Sequence, residues 1–67
     1  MQVWQKNLIK ERKDLKSKIS NLVAFIESSE FHMVDRDQQI AMDEQLDVMK
    51  DYREILARRI ADFMCAK

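Results

Sequence analysis

Leu8, Leu15 and Leu22 recur every seven residues, and Ile19 and Ile26 follow the last two of them by four. A helix over this stretch lines one face with an unbroken apolar seam. The second half repeats the pattern with Met42, Leu46, Met49, Leu56, Ile60 and Phe63, spaced four, three, seven, four and three. The chain has no glycine and no proline to interrupt either run. Helices are therefore predicted over about residues 3–28 and about 36–64, joined by a connection over about 29–35. In that connection Asp35 is placed to cap the second helix, with Gln38 three residues on as in a capping box. So short a connection makes the helices antiparallel neighbours. The expected class is all-α: one helical hairpin spanning residues 1–67.

A hairpin of 67 residues buries little apolar surface. The usual staples of small proteins do not fit this sequence. The chain has one cysteine, Cys65, which rules out an internal disulfide. His32 and Cys65 are the only soft ligands and lack the paired spacing of a zinc site. Oligomerisation is then the expected stabiliser, assembling hairpins into a helical bundle. Neither a leader nor a membrane span is expected, because no window approaches the roughly 18 apolar residues a span requires. A cytoplasmic location follows as an expectation.

Each seam breaks where the apolar pattern should continue, at Gln5 and Arg12 in the first helix and at Arg53 in the second. Across an antiparallel hairpin the numbers of facing residues keep a nearly constant total, and a loop centred near 32 or 33 sets it at about 65. On that register Arg12 and Arg53 stand at one level, facing the same seam. Two guanidinium groups in a seam need compensation. Glu11, Asp14 or Glu54 can swing in, or both side chains can lay their stems along the seam and reach outward. Alternatively an anionic ligand or a partner's carboxylate bridges them, since the arginine fork matches phosphate and carboxylate in bidentate fashion.

The charge distribution favours an anion at this end. Residues 1–18 carry six Lys/Arg against two Asp/Glu, and residues 53–67 carry four against two. Residues 19–52 hold two against eight, so a formal net charge of zero conceals a dipole of +6 and −6. The hairpin brings both basic segments to its open end. Lys6, Lys10, Lys13 and Lys16 add cations there, but the acidic end repels a long polyanion. A compact anion fits this dipole better than extended nucleic acid does. The dipole also favours assembly in which the basic end of one hairpin meets the acidic end of another.

The second helix carries more apolar surface than one seam uses. Val48, Tyr52 and Ile55 form a flanking stripe that Arg59 continues, and Trp4, Ile9, Val23 and Phe25 flank the first seam. Widened stripes of this kind pack against further helices. Trp4 and Tyr52 can also stack on a base beside cations that hold its phosphate. Within one hairpin they lie about two turns apart, so they share a pocket only across a subunit interface. His32 has no fixed acid or nucleophile nearby, and Cys65 has no evident acid-base partner. With no phosphate loop and no metal cluster, neither enzymatic turnover nor a cofactor is expected.

The pattern Leu22-x-x-Phe25-Ile26, then Phe31, then Gln45-Leu46-x-x-Met49-x-x-Tyr52-x-x-x-Leu56-x-x-Arg59-Ile60 resembles a family of small phage-encoded helical-hairpin proteins first noted in crAss-like phages. In architecture it is similar to phage anti-defence sponge proteins, oligomers that sequester cyclic-nucleotide or ADP-ribose-derived signals of bacterial immunity. The resemblance covers about residues 4–63 and implies binding of a small phosphorylated nucleotide signal without turnover, in the host bacterial cytoplasm. Combined with the residue reading, it assigns phosphate to Arg12 and Arg53, assistance to Lys16 and to Arg58 or Arg59, and base stacking to Tyr52 or Trp4. The alternative is an interaction module or inhibitor whose apolar stripe docks on a host or phage protein and whose arginines meet that partner's carboxylates.

Overall fold

A computed structural model describes residues 1–64; Cys65 and the reading attached to it lie outside the described residues. Two helices account for nearly all of the chain: α1, Val3–Ile26, and α2, Arg36–Met64, with a 3-10 helix, Ser29–Met33, between them. No strand occurs among the described residues. The molecule is a rod of 50 × 15 × 15 Å. Trp4 meets Phe63 edge to face with ring centroids 5.6 Å apart, which brings the start of α1 to the end of α2 and makes the helices antiparallel.

The seam residues form the core. Leu8, Leu15, Ile19, Leu56 and Ile60 are buried, and Val23, Leu46, Met49 and Phe63 pack partly buried against them. Of these five buried side chains Leu8, Leu56 and Ile60 lie toward the open end of the rod, and Leu15 and Ile19 lie near its middle. Toward the connection Leu22, Ile26, Met42 and Leu46 are only half-buried. The tightest packing therefore surrounds the two places where arginine interrupts the seam.

α1 stops at Ile26, two residues short of the sequence expectation. Ser28 competes with the helical backbone: its Oγ donates to the Phe25 carbonyl at 2.6 Å, and its N–H donates to the same oxygen at 3.0 Å. At the start of α2 the Asp35 carbonyl accepts the Gln39 N–H at 2.9 Å. The side chain that ties this junction is that of Gln39, not of Gln38. Gln39 Nε2 donates to the carbonyls of Phe31, at 2.9 Å, and Val34, at 3.1 Å. These bonds hold the 3-10 segment beside the first turns of α2, while Phe31 stacks edge to face on Phe25 at 6.4 Å.

The connection is thus lopsided, and the pairing of the helices shifts with it. Trp4 faces Phe63, and that pair of residue numbers totals 67. The loop midpoint had suggested about 65. On the Trp4–Phe63 total Arg12 and Arg53 are offset by two residues, about 3 Å along the axis and less than one turn.

Candidate functional site

Arg12 and Arg53 are both half-buried within an otherwise apolar seam. Each occupies a heptad position that the helical repeat points at the facing helix, so its stem packs while its head must find a polar partner. Among the described residues the structure supplies none. Arg12 Nε is buried without a hydrogen-bond partner. The single ion pair among the described residues joins Lys10 Nζ and Asp14 Oδ2 at 2.8 Å. Asp14 is therefore engaged by lysine, and neither Glu11 nor Glu54 reaches an arginine. The Lys10 hydrogen bond holds the Asp14 carboxyl below its ordinary range, and the same bond raises the Lys10 ammonium.

A lone buried N–H donor with no acceptor is costly, at about 1–3 kcal/mol for such a group. A chain of this size has little stability to set against that loss. The donor lies next to an open groove of about 300 Å³ lined by Ile9, Arg12, Lys13, Lys16, Ile60 and Met64. Ile9, Arg12, Lys13 and Lys16 follow one another by three, one and three residues on one flank of α1. Ile60 comes from the buried core and Met64 from the end of α2. Three cations over an apolar floor can hold an anionic group at the rim while an apolar or aromatic body lies on the floor. Among the described residues no carboxylate lines this groove.

The remaining residues singled out from the sequence are dispersed. Tyr52 lines a groove with Asn7, Lys10, Glu11, Asp14, Leu15 and Lys18, on the opposite flank of α1 from Arg12 and Lys16. Arg58 and Arg59 share a shallow surface with Ile55, Ala61 and Asp62 on α2 alone. Trp4 is half exposed and uses one ring edge against Phe63. One hairpin thus unites Arg12 with Lys16, leaves Arg53 outside that groove, and keeps Tyr52, Trp4 and the Arg58–Arg59 pair apart from them. The sequence reading passed over Ile9, Lys13, Ile60 and Met64 as lining residues. The spacing of Ile9 and Lys13 to Arg12 and Lys16 was a usable signal; the contribution of α2 required the register.

No group of His, Cys, Asp and Glu side chains suited to a metal ion occurs among the described residues. No described helix is long and apolar enough to cross a membrane. Residues 2–62 match the sequence family described as Sequestin. No curated protein and no solved structure matches the chain.

Proposed function

The chain belongs to the Sequestin family, and from that membership and the seam geometry we propose that it binds and sequesters a small nucleotide immune signal without turning it over. The signal is a cyclic nucleotide or an ADP-ribose derivative, and the protein is a phage counter-defence factor acting in the host bacterial cytoplasm. The observation that carries this reading is Arg12. Its Nε is buried without an acceptor at the edge of a groove that also presents Lys13 and Lys16. A phosphate oxygen there would accept from Arg12, take charge from both lysines and remove the cost of the unsatisfied donor. Arg53, half-buried in the seam of α2 and likewise without a carboxylate among the described residues, adds to the positive potential.

The mechanism is capture by mass action. Lowering the free signal keeps a host effector unoccupied, so the affinity must be tight relative to the signal concentration. Nothing in this scheme requires a nucleophile or a general base. Arg58 or Arg59 and the stacking residues Tyr52 or Trp4 complete the site where hairpins meet, because one hairpin holds them apart from Arg12.

Isothermal titration with a panel of cyclic di- and trinucleotides and cyclic ADP-ribose isomers tests this. Saturable heat with at least one member is the expected result, and silence across the whole panel would sink the proposal. A second reading, a protein-docking module, draws on the exposed stripe of Val48, Tyr52 and Ile55. Pull-down from host lysate separates the two, since a stoichiometric protein partner supports docking and a sequestering protein returns none.

A further inference from the structure

One flank of α2, beside the seam, exposes an apolar stripe. Val48 is 67% exposed, Ile55 44% and Tyr52 39%, and these residues share one face by steps of four and three. Glu44 and Arg59 extend the same face by four residues at either end. The resulting order is nearly palindromic. Val48 and Ile55 are equally distant from the midpoint between residues 51 and 52, and so are Glu44 and Arg59. The acid and the base sit at opposite ends.

We propose that this face is the docking surface for a second copy of the chain, laid antiparallel on α2 about a two-fold axis near Tyr52. In that arrangement Val48 packs against Ile55 of the partner subunit, and Glu44 meets Arg59 of the partner subunit, each contact occurring twice. A parallel copy would instead set Glu44 against Glu44 and Arg59 against Arg59. Neither residue has an ion-pair partner of its own among the described residues. The charge of the whole chain selects the same orientation: residues 1–18 and 53–67 sum to +6 and residues 19–52 to −6, so an antiparallel copy lays each basic open end beside an acidic connection. The hairpin also has reason to associate. Its buried core consists of five side chains, and a chain this short gains more apolar burial from a partner than from itself. Dimerisation on this face uses no bound anion, so its failure is distinguishable from a failure to bind nucleotide, and with Arg59 paired to Glu44 of the partner subunit the arginine left to assist the nucleotide site is Arg58.

Sedimentation equilibrium of the full chain without nucleotide, at low salt, is the test. The unaltered protein is expected to be a dimer. Glu44→Arg or Arg59→Glu alone places like charges in both end contacts and raises the dissociation constant about tenfold or more. Glu44→Arg together with Arg59→Glu restores opposite charges and returns it to within a few-fold of the original. A monomeric protein overturns the proposal, including one that docks a different macromolecule on this face. So does an assembly indifferent to the single changes, or a double variant that fails to recover. Should a single variant lose helix by circular dichroism, recovery of helix in the double variant supports the pairing and its absence overturns it.

Discussion

Leu56 and Arg12 both occupy the seam positions of their helices, with opposite consequences for stability. Leu56 is the most fully buried side chain, at 0% exposure. Truncating a buried leucine costs about 2–5 kcal/mol, while a core of this size supplies no more than about 3–5 kcal/mol. Leu56→Ala should therefore abolish the cooperative thermal transition followed by circular dichroism. Met33→Ala, at an 87% exposed position in the connection, should leave it nearly unchanged. A second prediction concerns the Lys10–Asp14 pair. Hydrogen bonding to Lys10 lowers the Asp14 carboxyl, so its contribution is present above the unfolded carboxyl value and is lost as pH falls through the folded one. Lys10 is raised by the same bond, so its contribution is present below the unfolded lysine value and is lost as pH rises through the folded one. In a carboxyl-detected NMR titration, Lys10→Ala should move the Asp14 midpoint upward. Both groups are exposed and lysine precedes the carboxylate, the weaker order for such a pair along a helix, so the global effect stays small.

At the scale of the elements, the helices were legible and their register was legible to within a turn. Seven-residue steps from Leu8 to Leu22 and from Met42 to Leu56 identify two long helices, because an apolar residue at that spacing must face one side. The buried set of Leu8, Leu15, Ile19, Leu56 and Ile60 is drawn wholly from those positions and from the ones four residues after them. The register depended on the connection, where a symmetric turn was assumed. The 3-10 segment instead folds against α2 through Gln39, a polar side chain whose reach to two carbonyls has no periodic signature. The candidate site inherits both outcomes. Arg12 was visible as a polar residue in an apolar heptad, and Lys16 shares its flank. The separation of Tyr52 onto the other flank follows from how the helices pack, which spacing within one helix does not encode. Gln39→Ala removes both tethers and should lower stability by about 1 kcal/mol. Its clearest reading is faster amide exchange in the 3-10 segment and the first turn of α2, with the open-end amides affected less.

For the whole molecule, the separation of charge links stability to function. Thirty-six per cent of the residues are charged, yet among the described residues only one ion pair forms. The basic excess at the open end remains available to a ligand or a neighbouring chain, and its cost in self-repulsion is offset by either. Binding of a compact anion should weaken as ionic strength rises, because exposed charges are screened within about 10 Å at 0.1 M salt. The central claim is that the seam arginines are kept for an anion and not for the fold. Nucleotide binding and denaturant stability of Arg12→Ala/Arg53→Ala, measured beside the unaltered protein, test it most directly. Removing two uncompensated seam charges should leave stability equal or higher while nucleotide affinity falls about 100-fold or more, as expected when two charge-assisted contacts are lost. Affinity that survives the double change in a folded protein would contradict the account.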